Sequence, residues 1–327
     1  MLFADEQAFT ARADRHRREL HVHCYRMVAS FHDADDLVQE TMLRAWRARD
    51  SFADADGDKG FRAWLYRIAT NVCLDFLRRT PRQAATARTF AEVPWIEPYP
   101  DRLLDELPAD QTPERTALDK ETIALGYLAL IQRLPPRQRA ILLLRELHDW
   151  SAAETASALG TSVAAANSGL QRARETLQAS AAADGVPAPG REPTERERAL
   201  LAAFIDAHER ADVAASLALM REDIRVTMPP RPVCFEGREA LAPLLAQAFD
   251  GMGDWRLVPA WANRQPAAVS YLRRPGDTVF RALKIDVLRI EGGLVKEVTT
   301  FDTTLLDAFG LPVSYEVDAA AVRRSLG

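Results

Sequence analysis

The chain has 327 residues, 47% hydrophobic and 27% charged, with 42 Lys and Arg against 47 Asp and Glu for a net charge of −5. This length holds two or three domains with sizeable cores, and the charge excludes a uniformly basic nucleic-acid coat while leaving room for local basic surfaces. Cys24, Cys73 and Cys234 form neither a disulfide framework nor a metal-ligand spacing. No apolar run reaches membrane-spanning length and the N-terminus lacks signal-peptide architecture, so a cytoplasmic protein without membrane association is expected.

Residues 5–30 read as a helix with Phe9, Leu20, Val22, Tyr25, Met27 and Val28 on its apolar side. His16, His21, His23 and Cys24 fall on several faces of it, which argues against a metal centre. The stretch Asp33–Arg47, DADDLVQETMLRAWR, has no Gly or Pro and opens on Asp residues suited to a helix N-terminus. Leu37, Val38, Thr41, Met42, Ala45 and Trp46 recur at helical steps, leaving Asp36, Gln39, Glu40, Arg44 and Arg47 largely outside. Ser51–Gly60 is an acidic turn-rich loop without EF-hand spacing.

Phe61–Arg79 is a second amphipathic helix. Phe61, Leu65, Ile68 and Val72 form its core stripe, while Trp64, Arg67, Asn71, Asp75 and Arg78 share another side, with Arg79 at the end. Guanidinium groups neutralise phosphate, an indole supports an unstacked base and an amide pairs with a base edge, so this face suits single-stranded DNA. Residues 82–113 are rich in Pro and acidic side chains and read as a linker. Thr112-Pro113-Glu114 opens a helix through Ile131, and Arg137–Leu147 is the next. Trp150–Leu159, Gly160 and Thr161–Leu177 then read helix, turn, helix, with Val163, Ala166 and Leu170 inward and Gln171, Arg172 and Arg174 available to DNA. Small residues with Pro and Gly mark a boundary before Thr194, where Thr194-Glu195 caps a helix with Leu200, Leu201, Phe204 and Ile205 on one side and a second short helix covers 212–220. Strands are expected at 223–228, 255–262, 267–273, 279–290 and 294–301, with a helix at 237–249.

DADDLVQETMLRAWR resembles the core-polymerase-binding helix of sigma-70-class factors (region 2.2), FRAWLYRIATNVCLDFLRR resembles regions 2.3 and 2.4, and Leu134–Leu177 resembles region 4. Their order and two-domain spacing point to the extracytoplasmic-function (ECF) group. The resemblance implies two all-α sigma domains, a region 2 bundle over 5–80 and a region 4 helix–turn–helix over 114–180, joined by the linker 81–113. It implies core RNA polymerase and promoter DNA as partners. Asp36, Gln39, Glu40 and Arg44 would meet polymerase. Trp64, Arg67, Asn71, Arg78 and Arg79 would open and read the −10 element. Ala165, Asn167, Ser168, Gln171, Arg172 and Arg174 would face the −35 element. Gly169 and Asn167 depart from the basic residues many relatives carry there. The linker would thread toward the RNA exit path, its acidity mimicking nucleic acid.

After a second linker, 181–193, residues 194–327 read as an α+β cone and resemble the NTF2-like (SnoaL-like) family, on ALLAAFIDAHERADVAASLALMREDIRVTMPP and FEGREALAPLL. Alternation nominates His208, Trp261, Tyr271, Lys284 and Asp286 as pocket residues. No catalytic constellation, metal cluster or cofactor motif stands out, so no enzyme and no cofactor are expected. The domain is expected to regulate the other two through a small ligand or an intramolecular contact. Two other readings stay open on the residues: a SnoaL-like isomerase or hydrolase with a DNA-binding appendage, and a transcription factor that works without polymerase.

Overall fold

The computed structural model describes residues 6–52, 57–80, 93, 95–106, 123–184 and 194–316. The chain forms two compact units: Met1–Glu97 with Leu103–Pro189, and Pro98–Arg102 with Gly190–Gly327. No helix among the described residues is long and apolar enough to cross a membrane.

The first unit is helical. The expected opening helix is two, α1 (Glu6–Asp14) and α2 (Arg17–Val28), broken at Arg15 and His16. Helix α3 (Phe31–Arg47) begins earlier than the Asp run: Ser30 is its N-cap, its hydroxyl accepting from Asp33 N, so the acidic residues fill the first turns rather than cap it. Helix α4 (Gly57–Arg79) packs on α2 and α3 through Phe61, Leu65 and Val72. Phe52 and Phe9 close its N-terminal end with ring centroids 5.3 and 5.9 Å from Phe61. The short α5 (Asp101–Leu104) follows in the linker. Glu97, just before it, is fixed to the helical unit. Its carboxylate accepts from Ser30 Oγ and His32 N, both at 3.0 Å, and its carbonyl accepts from Tyr25 Oη at 2.6 Å.

Helices α6 (Leu125–Gln132), α7 (Pro136–Glu146), α8 (Ala152–Leu159) and α9 (Val163–Asp184) complete this unit. The helix start expected at Thr112 lies outside the described residues. Helix α8 carries a Ser151–Glu154 capping box and ends on Gly160 at φ 59°, the left-handed conformation that turns the chain into α9. Gly169 is buried, and a Cβ there would lie 2.6 Å from Ile141 Cδ1. It therefore faces α7, not solvent: the small residue permits close helix packing. Val163, expected inward, is 47% exposed because it begins α9 ahead of the packed turns at Ala166 and Leu170.

Arg139 of α7 is the hub of this unit, 1% exposed. Its guanidinium donates to Ile131 O (2.9 Å), Gln132 O (2.9 Å), Gln132 Oε1 (2.6 Å), Leu134 O (3.1 Å) and Met27 O. Gln132 Nε2 donates to Arg26 O at 3.2 Å. The last carbonyls of a helix have no partner within it. Here one guanidinium serves those of α2 and α6 together, with its charge at the negative ends of both dipoles.

Two histidines make this unit acid-sensitive. Burial pushes His21 down to about 4, with Asp35 opposing and Arg18 reinforcing. Burial pushes His23 down to about 3, helped by Arg26 and Arg62 and opposed by Glu19. Both are neutral in the fold but take protons below about pH 6.5 when unfolded, so stability falls as pH falls through that range. Each is expected to remove roughly 2 kcal/mol between pH 6.5 and 5. Urea midpoints at pH 7 and pH 5 check this, and equal midpoints contradict it.

The second unit opens with α10 (Glu195–Glu209), whose capping box is Thr194–Glu197, and α11 (Val213–Ala218), capped by Asp212. Then come β1 (Met220–Met228), β2 (Arg231–Glu236), α12 (Arg238–Phe249), β3 (Asp254–Ala262), β4 (Gln265–Arg273), β5 (Val279–Glu291), β6 (Leu294–Phe301), α13 (Leu306–Phe309) and β7 (Ser314–Glu316). The sheet order is β2-β1-β6-β5-β4-β3, with β7 on β5, and β1 runs parallel to β6. Leu201, Phe204, Leu241 and Leu245 of the helices pack with Leu257, Ala268, Leu272, Leu288 and Val298 of the strands into one apolar core.

Pro98–Arg102, although drawn from the linker, is an integral part of this unit. Tyr99 N donates to Asn263 Oδ1 at 2.7 Å and Asn263 N donates back to Tyr99 O at 2.9 Å. Arg264 N donates to Asp101 Oδ1 at 2.9 Å, and Arg102 Nε donates to Ala308 O at 2.7 Å. Asn263 and Arg264 have φ of 54° and 60°, the two-residue turn that joins β3 to β4.

Candidate polymerase and nucleic-acid interfaces

The polar side of α3 separates into two parts. Asp36 and Gln39 are exposed, and Gln39 Nε2 donates to Asp35 Oδ2 at 3.2 Å. Glu40 and Arg44 are half-buried and paired at 2.7 Å. Arg44 also reaches Asp75 of α4 at 2.8 Å. The hydrogen bond from Arg44 holds the Asp75 carboxyl below the usual range and pulls the guanidinium toward α4. Leu43, 51% exposed, adds an apolar element to the same helix.

Trp64, Arg67 and Asn71 converge on one open cavity of about 390 Å³, completed by Arg44, Ala48, Ser51 and Ile68. The i, i+3, i+7 spacing on α4 brings the three together. Arg44 comes from the end of α3, and Ala48 and Ser51 come from the turn after it, which spacing along α4 alone cannot reveal. Arg67 is exposed. Asn71 Nδ2 donates to Arg67 O (2.8 Å) and to Ala158 O at the end of α8 (3.2 Å). Arg78 is drawn to Asp75 at 3.1 Å, and Arg79 is exposed. The cavity joins an indole, two guanidinium groups and an amide, and it has room for an extruded base.

Asn71 is one of several ties between the α2–α4 bundle and the helix–turn–helix. His23 Nε2 lies 3.0 Å from Thr70 Oγ1, and Thr70 donates its own proton to Tyr66 O. His23 is therefore protonated at Nε2 and accepts at Nδ1 from His148 Nε2, 3.2 Å away. The His148 ring also lies 4.2 Å from that of Tyr66.

On α9, Ala165 and Asn167 are exposed and Ser168 is half-buried, its hydroxyl donating to Ala165 O. Gln171 donates to Glu175 at 3.0 Å, and Arg174 is paired to Glu146 of α7 at 2.5 Å. Arg172 is exposed, and no side-chain hydrogen bond or ion pair involves it among the described residues. Of the −35 candidates it is the basic group open to a phosphate.

In the second unit, Asp286 is fully buried. It accepts from Thr300 Oγ1 at 2.7 Å and lies 2.7 Å from Lys284 Nζ. Thr300 stands opposite Asp286 across the β5–β6 pair, a partner that hairpin register identifies. Ser270, opposite Lys284, has a buried hydroxyl without a hydrogen-bond partner among the described residues. His208 Nδ1 bonds Phe204 O at 3.0 Å, and burial, reinforced by Lys284, pushes the ring down to about 4. Trp261 packs against the apolar core. Tyr271 is engaged elsewhere: its hydroxyl donates to Pro312 O at 2.8 Å and its ring lies 4.9 Å from that of Tyr315.

Comparison with known proteins agrees with both units. Residues 13–83 match Sigma-70 region 2, residues 125–177 match Sigma-70 region 4 and residues 201–298 match a SnoaL-like domain. The ECF RNA polymerase sigma factor SigG of Mycobacterium tuberculosis is 43% identical over 95% of this chain and 86% of its own length. The ECF factor SigW of Bacillus subtilis is 28% identical over 53% of this chain and 89% of its own. The crystal structure of M. tuberculosis SigJ shares the fold at a TM-score of 0.56 and 22% identity, covering 94% of this chain and all of that one. With both sigma regions in order ahead of the strand-rich unit, the chain belongs to the ECF RNA polymerase sigma factors and carries a fused SnoaL-like domain.

Proposed function

We propose that this sigma factor rests in a closed form, is opened by core RNA polymerase, and is regulated by its own C-terminal domain. The observation that carries the reading is the hydrogen bond from Asn71, a −10 candidate, to Ala158 of the helix–turn–helix. The −10 and −35 elements lie about 25 base pairs apart, on the order of 80 Å along B-DNA. One conformation cannot hold Asn71 on α8 and also place the two DNA-binding faces on both elements. Polymerase binding through Asp36, Gln39 and Glu40 would separate them. Trp64, Arg67 and Asn71 would then take an unstacked base of the −10 element, and α9 would enter the major groove at the −35 element.

The C-terminal domain acts here as a regulator rather than an enzyme. Lys284 and Thr300 occupy Asp286, and the His208 ring is neutral and bonded to backbone, which leaves neither poised as a general acid or base. Its leverage is the captured strap, because residues 98–102 belong to the connection that must lengthen when the sigma domains part. The site of action is the cytoplasm, where polymerase and genome are found.

Co-elution with sigma-free core polymerase tests the first part. The native chain should bind, and Asp36→Arg with Glu40→Arg should abolish binding, since like charges set against a complementary surface cost several kcal/mol. Unchanged binding would remove α3 from the interface. Run-off transcription tests the second. Asn263→Ala frees Tyr99 N and should change transcript yield several-fold at equal core affinity; an unchanged yield would overturn regulation through the strap.

A further inference from the structure

A second cavity, of about 360 Å³, lies at the β4–β5 hairpin and is lined by Leu272, Arg274, Asp277, Arg281, Ala282 and Leu283. Its lining shares no residue with the Lys284–Asp286 cluster. Leu272 is buried and belongs to the apolar core, and Leu283 packs against that core, so the floor is hydrophobic. Arg281 stands opposite Leu272 in the strand pair, and Arg274 follows the end of β4. Both are exposed.

Their neighbours show what is unusual about them. Arg221 pairs with Asp223, Arg225 with Glu236, Arg273 with Asp254 and Arg289 with Glu297. No ion pair or side-chain hydrogen bond engages Arg274 or Arg281 among the described residues. Asp277 also lines the cavity, but its contact with Arg274 is through backbone, its N donating to Arg274 O at 3.0 Å as the hairpin turns. Two guanidinium groups against one carboxylate leave the cavity net positive. Like charges facing a common space repel until an anion enters between them. Guanidinium forks match carboxylate geometry, and an apolar floor takes a hydrocarbon body.

We propose that this cavity binds a small amphipathic carboxylate, its anionic head between Arg274 and Arg281 and its apolar body on Leu272 and Leu283. The volume is at the low end for ligand sites, which sets the size at a short acyl chain or one ring rather than a long lipid. The proposal does not depend on what the domain does to transcription, because binding is read directly.

Calorimetric titration of the full chain with octanoate at low salt tests it. Saturable one-site binding is expected. Arg274→Ala and Arg281→Ala should each weaken it about tenfold, and Arg196→Ala, at an equally exposed arginine on α10, should leave it unchanged. Octan-1-ol should bind far more weakly, and added salt should weaken octanoate. All three arginines are exposed, so the variants should keep the native near-ultraviolet circular dichroism. No saturable binding by the native chain, equal binding of octanol, or undiminished binding by the chain carrying Arg274→Ala and Arg281→Ala together would each overturn the assignment.

Discussion

Replacing Arg139 with alanine is expected to lower the stability of the helical unit by about 4 kcal/mol, the range seen when a buried charged network loses one member. The size follows from what the guanidinium leaves behind. Ile131 O, Gln132 O, Leu134 O, Met27 O and Gln132 Oε1 all accept from it. Each buried acceptor stripped of its donor costs about 1–3 kcal/mol, less where water enters the hole. The ends of α2 and α6 lose their compensating charge together. Arg139→Lys keeps the charge but not the planar fork, so it should recover only part of the loss. Urea unfolding of the full chain measures both, and a loss under about 1 kcal/mol for the alanine variant would show that the hub is not load-sharing in this way. Because Met27 lies on α2 and Arg139 on α7, the same variant should loosen the closed form and raise the access of Asn71 to solvent.

Trp64→Ala is expected to reduce promoter opening tenfold to a hundredfold while leaving core affinity unchanged. A base stacked on an aromatic ring contributes about 1–3 kcal/mol, and that energy helps offset the cost of unstacking it from the duplex. Trp64 lines the cavity with Arg67 and Asn71, and its ring lies 5.2 Å from Phe52 and 5.7 Å from Phe61. Some stability is lost with those contacts, about 1 kcal/mol per aromatic pair, so opening is to be compared at saturating holoenzyme. Fluorescence of a base analogue in the −10 element reads the opened fraction. Normal opening by the variant would take Trp64 out of base capture and leave the work to Arg67 and Asn71.

Much of this architecture is legible in the chain because its signals are local. The stripes on α3 and α4 follow from apolar spacing, and Gly160 announces its turn through the conformation it must adopt. Strands β3 to β6 lie close to their expected bounds because Pro275-Gly276-Asp277 and Glu291-Gly292-Gly293 can only be hairpin turns, with Gly276, Gly292 and Gly293 all at positive φ. What escaped is long-range. Strand β2 follows Pro229-Pro230, which reads as loop until β1 supplies a partner. Arg139 looks like one more surface charge of a basic helix start until three helix ends meet around it. Gly169 reads as a weakness in a recognition helix until Ile141 is seen beside it. The cavity around Trp64 needs Ser51 and Ala48, which tertiary folding alone brings to α4. Tyr99 and Asn263 are 164 residues apart, and no periodicity connects them.

The strap at Pro98–Arg102 makes the C-terminal domain discontinuous in the gene. A clone beginning at residue 194 encodes the sheet without its tenant, leaving Asn263 and Arg264 with hydrogen-bonding groups that Tyr99 and Asp101 should fill. A clone stopping at residue 182 encodes the tenant without its house and presents Tyr99, fully buried in the whole protein, to water. Neither half is therefore a neutral excision, and a recombination joint placed in the 181–193 boundary would not transplant the domain intact. A fused regulator wired in this way travels with its sigma factor's middle segment or not at all, so the two are expected to be inherited as one piece.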